Sequence, residues 1–229
     1  MQQLNIIASE VSVWFLPVII AITFHEAAHG FVARLLGDDT AWRRGRVSFN
    51  PLKHIDPFGT IVLPAILLLL RSPFLFGYAK PVPVNFRALR RPRLGMILVA
   101  AAGPGMNLLL ATIAALAFHL IDYAPATTAR WLAENLKNAL LINVVLAVFN
   151  MLPLPPLDGG RIVVGLLPKA LATRFSRLEP YGLLLLISLL ILLPLLGAQL
   201  GLDLSFISQL IARSTSAIIG VILQLTGNL

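Results

Sequence analysis

The sequence contains no cysteine and few charged residues. Among its 229 residues, 12% are Asp, Glu, Lys or Arg, whereas soluble domains carry about 25%. The absence of cysteine excludes disulfides and thiolate metal ligands, so histidine and carboxylate side chains remain as the strong metal ligands. The shortage of charge excludes an ordinary water-soluble domain, and no polar link is long enough to fold alone.

Apolar sequence takes the place of the missing charge. Hydrophobic residues make up 58% of the chain, and the mean hydropathy is +0.86. A helix of about 20 apolar residues crosses a bilayer core, so long apolar runs joined by short polar links predict an all-α integral membrane bundle forming one domain over residues 1–229. The predicted spans are residues 11–36, 96–121, 136–151, 181–200 and 206–225.

The basic residues fall mainly in two polar regions, Arg34 to Arg93 and Arg161 to Arg177, in a chain of net charge +8. Lys and Arg collect in cytoplasmic loops, so both regions are predicted to be cytoplasmic, with the N-terminus outside and no nucleic-acid partner. The short apolar run 58–70 lies within the first region and has basic residues on both sides, from Arg43 to Lys53 before it and from Lys80 to Arg93 after it. Residues 58–78 are therefore predicted to form a re-entrant element, with a full crossing, and so a sixth membrane segment, as the alternative.

The first span contains the sequence HEAAH at residues 25–29. Residues four apart share one face of a helix, so His25 and His29 can bind one zinc ion. Glu26, beside them, can take a proton from zinc-activated water and pass it to the leaving amine. A charged or strongly polar side chain in the middle of a membrane helix costs about 2.5–3.5 kcal/mol on insertion scales, and a bound cation in a water-filled cavity compensates for that cost. A chance occurrence of HExxH is the alternative.

A catalytic zinc ion usually has a third protein ligand, and elimination points to Asp158. Asp38 lies roughly 14 Å beyond His29 along the helix axis, too far to reach the same ion. Four other acidic residues fall on the predicted outer side. Asp158 follows three prolines that break the chain on the inner side. Glu179 or Asp56 as the ligand, and a turn or capping role for Asp158, are the alternatives.

Two segments near this site have the pattern of extended chain. Residues 45–50 alternate in side-chain type and are predicted to form a strand or small β-hairpin after the first helix. Residues 80–85 are a second extended segment beside it.

Five ordered motifs resemble those of the site-2 protease family of intramembrane zinc metalloproteases: FHEAAHG at 24–30, NPLKHIDPFGT at 50–60, GYAKPVPVNFRALR at 77–90, AAGPGMNLLLA at 101–111 and NMLPLPPLDGGR at 150–161. The resemblance implies that His25, His29 and Asp158 bind zinc and that Glu26 is the catalytic base. It implies cleavage of peptide bonds within or beside the transmembrane helix of a single-pass substrate. The expected location is a bacterial or archaeal cell membrane, with the active site toward the cytoplasm.

The resemblance also implies substrate contacts. Gly103 and Asn107 are expected near the active site, with Asn107 handling substrate or, alternatively, bonding one helix to another. The edge of the predicted strand, which includes Val47 and Phe49, is expected to bind an unwound substrate by β-augmentation, the alternative being a plain loop. His54 is interpreted as a residue close to the ligands, a gate or fourth ligand, or a solvated loop histidine.

Other functions remain open at this point. A transporter would use the HxxxH pair to carry zinc, and a catalytically silent scaffold would bind membrane helices without cleaving them. The resemblance is to a short form of the family, since no polar link is long enough to be a PDZ-like or CBS-like domain. Substrate choice is therefore predicted to come from the core, from an adaptor protein or from a homo-oligomer.

Overall fold

The structure, a computed structural model, describes residues 2–62, 66, 69 and 79–229. This part of the chain is helical and contains no β-strand. Among the described residues, five helical segments are long and apolar enough to cross a membrane, as predicted: Glu10–Leu35, Pro92–Tyr123, Ala126–Asn150, Lys169–Gln199 and Phe206–Leu225. The third and fourth segments begin earlier in the chain than predicted, because helix formation continues through more polar sequence. The single domain over 1–229 stays a prediction.

The α-helices are named in chain order: α1 (Gln2–Leu35), α2 (Thr40–Arg43), α3 (Pro92–Ala117), α4 (Ala126–Asn150), α5 (Asp158–Leu166), α6 (Lys169–Ser176), α7 (Gly182–Ile187), α8 (Leu193–Gln199) and α9 (Phe206–Leu225). Short 3₁₀ turns lie at Pro51–Lys53, Phe118–Tyr123 and Glu179–Tyr181. Wider π-type turns lie at Pro57–Val62 and Ser188–Leu192.

Helix α1 ends in a tight cap. Gly37 has a φ of +109°, in the left-handed region that glycine adopts at low cost. Its N–H donates to the carbonyl of Arg34, and the N–H of Asp38 donates to that of Ala33. This is the Schellman pattern, which pairs the last carbonyls of a helix and turns the chain. The polar link after α1 therefore begins at a fixed place beyond the HEAAH turn.

Small residues bring the central helices together. Ala111, Ala114 and Ala115 of α3 form a buried cluster with Leu140 and Val144 of α4. Lipid tails are as apolar as leucine, so helices in a membrane associate through close packing rather than by escaping water. Alanine permits that close approach of α3 to α4.

The predicted strand at residues 45–50 is wrong. Gly45, with a φ of +61°, and Arg46 donate their N–H groups to carbonyls of the preceding α2 turn. In the other extended segment, 80–85, Pro81 and Pro83 have no N–H to give. Alternating side chains therefore lack a partner ladder. The predicted re-entrant element at 58–78 lies mostly outside the described residues and stays a prediction.

A sharp turn delivers the chain into α5. Residues 151–157 fold back onto the first turn of that helix, where two glycines stand. A Cβ on Gly159 would collide with the carbonyl oxygens of Met151 and Leu152, and one on Gly160 would lie 2.7 Å from the carbonyl of Leu154. The glycine pair thus permits the turn that places Asp158 at the start of α5.

Candidate active site

His25, His29 and Asp158 meet at one buried point. The two imidazole Nε2 atoms lie 3.1 Å apart, and they lie 3.2 and 3.3 Å from Oδ2 of Asp158. All three residues are at most 7% exposed. Tetrahedral zinc with bonds of about 2.0–2.2 Å holds its ligand atoms roughly 3.3–3.6 Å apart. The triangle is therefore close to the size of three corners of a zinc site, and these residues form a group that could hold a metal ion.

The hydrogen bonds of the two Nδ1 atoms determine whether the Nε2 atoms of the same rings can bind a metal ion. Nδ1 of His25 lies 2.5 Å from Oδ1 of Asn107, and Nδ1 of His29 lies 2.7 Å from the carbonyl of Val99. Both partners are acceptors in this arrangement, so each Nδ1 carries the hydrogen. In a neutral imidazole the Nε2 atom then presents a lone pair.

Three electron-rich atoms consequently face one another. Oδ2 of Asp158 is buried without a hydrogen-bond partner among the described residues. A carboxylate and two imidazole lone pairs at these distances repel each other unless a cation lies between them. The donor set fits zinc, which prefers nitrogen and oxygen ligands of this kind.

Two asparagines support His25 from behind. Asn107 is fully buried, and its Nδ2 donates to Oδ1 of Asn143 at 2.8 Å and to the carbonyl of Ala21 at 3.2 Å. The amide chain joins α1, α3 and α4 and fixes the orientation of the His25 ring. The predicted role of Asn107 in substrate handling stays a prediction. Asn143 was not predicted, although a buried asparagine within an apolar span is a signal of function.

Gly103 lies directly against the two histidines. A Cβ at this position would lie 2.5 Å from Nε2 of His29 and 2.6 Å from Nε2 of His25. Any side chain would thus occupy the space in which the ligand atoms converge. The predicted contact of Gly103 with substrate is not tested by this arrangement, in which the glycine borders the candidate metal site.

Glu26 is half-buried and bonds to a segment far along the chain. Its Oε2 accepts the backbone N–H of Val82 at 2.8 Å. Residues 79–85, which we call the strap, therefore pass beside the carboxylate that the sequence predicts to be the base. This contact was not foreseen, because a backbone donor leaves no signature in side-chain spacing.

Val47 and Phe49 pack against α1 near the HEAAH turn. A Cβ on Gly30 would lie 2.7 Å from Cγ2 of Val47. The Phe49 ring stacks on Phe24 with centroids 4.4 Å apart, yet Phe49 remains 64% exposed. Both residues thus border the site without a strand, and their contact with substrate stays a prediction.

The remaining candidates lie outside the ligand cluster. His54 is buried rather than solvated, and its Nε2 donates to the carbonyl of Ser48 at 2.8 Å. Asp56 accepts the N–H groups of Phe58 and Gly59 and caps a helical turn. Glu179 stands exposed in a 3₁₀ turn. Neither acid joins the group formed by the two histidines and Asp158.

A site of this kind within helices that cross a membrane defines a class of protein. Nitrogen and carboxylate ligands around an ion, with a glutamate next to a ligand on the same helix, are the parts of a hydrolytic zinc centre. The class is that of membrane-embedded zinc metalloproteases.

Comparison with known proteins gives the family. The chain is 40% identical over 183 residues to "Putative zinc metalloprotease YwhC" of Bacillus subtilis, a match covering 77% of this chain and 78% of that protein. It is 28% identical over 174 residues to "Putative zinc metalloprotease Rip2" of Mycolicibacterium smegmatis, covering 76% of this chain and 64% of the relative. It is 29% identical over 141 residues to Rip2 of Mycobacterium tuberculosis, covering 62% and 52%.

The sequence profile of peptidase family M50 matches residues 117–195, which include Asp158. No solved structure gives a significant match. The chain belongs to peptidase family M50, the site-2 protease family. It is a zinc-dependent metalloprotease and a membrane protein.

Proposed function

We propose that this protease hydrolyses peptide bonds within or beside the transmembrane helices of single-pass membrane proteins, as in regulated intramembrane proteolysis. The depth of the ligand cluster carries the proposal. His29 lies six residues before the end of the span Glu10–Leu35, about 9 Å along the helix axis, and His25 lies about 15 Å from that end. A water-requiring reaction at this depth suits a substrate that is itself in the membrane.

Three side chains would hold the ion. His25, His29 and Asp158 supply the ligand atoms, and Asn107 and the Val99 carbonyl keep the two imidazoles turned toward it. When bound, zinc lowers the pKa of water toward neutrality and polarises the scissile carbonyl. The buried surroundings exclude bulk water and strengthen the electrostatic interactions within the site.

Glu26 would transfer the proton. Its carboxylate takes one hydrogen from the attacking water, whose oxygen then bonds to the carbonyl carbon of the substrate. The carbon–nitrogen bond breaks, and the proton held by Glu26 passes to the leaving nitrogen. No further reactant is needed, since one water molecule is divided between the two products.

The active site is proposed to open toward the cytoplasm of a bacterial cell. The end of α1 that carries the histidines leads into a link containing Arg43, Arg44 and Arg46, and basic residues mark cytoplasmic links. The relatives named above are bacterial proteins. Lipids and a membrane-protein substrate are therefore the proposed partners.

The test compares Glu26→Gln with the unaltered protein in lipid vesicles that contain a fluorescent membrane-helix reporter. We expect cleavage to fall by roughly 10²–10⁴-fold, while one zinc per chain is retained. Glu10→Gln, an exposed position on the same helix, is the matched control and should cleave normally. Unchanged cleavage in Glu26→Gln would refute the mechanism, and zinc flux without cleavage in the unaltered protein would favour a transporter.

A further inference from the structure

The strap offers a single hydrogen-bond donor at its centre. Within Pro81-Val82-Pro83, only Val82 has a backbone N–H, because proline has none. A residue that precedes proline is restricted to extended conformations, and both Lys80 and Val82 precede one. The sequence thus makes this Pro-Val-Pro segment stiff and extended, and neither residue next to Val82 can donate an N–H in its place.

Both ends of the strap are anchored. The N–H of Lys80 donates to the carbonyl of His54 at 2.9 Å, and Nη2 of Arg46 donates to the carbonyl of Lys80 at 2.7 Å. At the other end, the N–H of Asn85 donates to Oδ2 of Asp38 at 2.6 Å. Asp38 is 1% exposed, so this anchor belongs to the interior.

The side chain of Val82 fixes the middle of the strap against α1. Val82 is buried, and a Cβ on Gly30 would lie 3.0 Å from its Cγ1. Gly30 directly follows His29, so the strap is seated one turn beyond Glu26. The position of the Val82 N–H relative to the ligand helix is therefore set by packing as well as by the two anchors.

Building on the function proposed above, we infer that Val82 is a positioning residue whose N–H holds the Glu26 carboxylate by one oxygen. A glutamate side chain has three rotatable bonds, so a half-buried glutamate without a hydrogen-bond partner adopts several orientations. The 2.8 Å bond to Oε2 restricts that freedom and keeps Oε1 available for proton transfer. Both ends of the donor segment are tied to the protein, so the donor is held in place before substrate binds.

Two substitutions distinguish the contribution of the Val82 N–H from that of the Val82 side chain. Val82→Pro removes the N–H, whereas Val82→Ala keeps it and removes only two methyl groups. We expect Val82→Pro to lower kcat about 10- to 100-fold, with KM and the zinc content unchanged. Val82→Ala should lose at least tenfold less. Equal losses in the two variants, or a normal kcat in Val82→Pro, would overturn the inference.

Hydrogen exchange tests the bond between the Val82 N–H and Glu26 directly, without relying on catalytic activity. Backbone hydrogen exchange is followed in the full chain at Val82, in the unaltered protein and in Glu26→Ala and Glu26→Gln. We expect slow exchange in the unaltered protein, faster exchange in Glu26→Ala, and retained protection in Glu26→Gln, whose amide oxygen still accepts. An exchange rate at Val82 that is the same in Glu26→Ala as in the unaltered protein would overturn the inference, even if Val82→Pro fails to fold. Failure of the proposed function shows separately, as absence of cleavage by the unaltered protein.

Discussion

The helices around the metal cluster and the last two membrane spans are built differently. In an apolar stretch of 18 residues from each of the spans of α1, α3 and α4, 33% of the residues are buried. The corresponding fraction is 17% in Lys169–Gln199 and 11% in α9. Polar bonds join α1, α3 and α4, including the buried Asn107–Asn143 bond and the partly buried bond of Asn138 to the Val13 carbonyl. The later spans touch the rest mainly through apolar residues.

This difference shows what fixes the active site. Apolar contact alone gives little orientation in a membrane, since lipid tails compete for the same surfaces. Hydrogen bonds between buried amides and rings specify one arrangement, because leaving them unpaired is costly. We therefore expect substitutions around the cluster to affect zinc and turnover strongly, and substitutions in the last span to affect them weakly.

Asp158→Asn should have the largest effect. The substituted side chain keeps its shape but loses the negative charge that a cation between two imidazoles requires. We expect zinc affinity to fall by more than about 100-fold, since even groups behind the ligands contribute 10- to 100-fold, and cleavage to disappear. Zinc is measured per chain after purification.

Asp56→Asn is the matched control for the aspartate, because Asp56 caps a local turn and should leave zinc binding intact. A stoichiometric zinc content in Asp158→Asn would contradict the ligand assignment.

Gly103→Ala should follow, for a steric reason. The added methyl group would lie 2.5–2.6 Å from the ring atoms of both histidines, so the rings or α3 must move. We expect zinc affinity to fall roughly 10- to 100-fold, measured by competition with a chelator. Gly105→Ala, on the same helix with no atom within 4 Å of the added carbon, should bind zinc normally. Equal affinities in the two variants would refute this close approach.

Asn107→Leu should have a smaller effect of about tenfold on zinc affinity. The leucine fills the same space but leaves Nδ1 of His25 without its acceptor, so the ring is less firmly oriented. Asn138→Leu, the control, removes one partly buried interhelical bond away from the candidate metal site. If both variants lose zinc equally, general destabilisation rather than orientation of His25 is responsible.

Reasoning from the sequence reached the three residues of the candidate metal site, which the structure brings together. Helix periodicity brings His25 and His29 together, and the short supply of other ligands points to Asp158. The same reasoning missed Asn143 and Val82, whose contacts depend on how distant segments pack. It failed for residues 45–50 because alternation describes one strand alone, whereas a sheet needs a partner with free donors.

Ile222→Ala should have the smallest effect on the active site. Ile222 is buried against the alanines of α3, so the substitution leaves a cavity at the contact of α9 with the bundle. In water-soluble cores such a change costs about 2–5 kcal/mol, and we expect less here because lipid tails solvate isoleucine as well as protein does. Thermal unfolding in detergent should show a lowered Tm, while zinc content and kcat stay within about twofold. Leu225→Ala, on the same helix with 81% of its surface exposed, should leave the Tm, the zinc content and kcat unchanged. A loss of zinc in Ile222→Ala would show that the last span also holds the ligands in place, which would remove the distinction between the two regions.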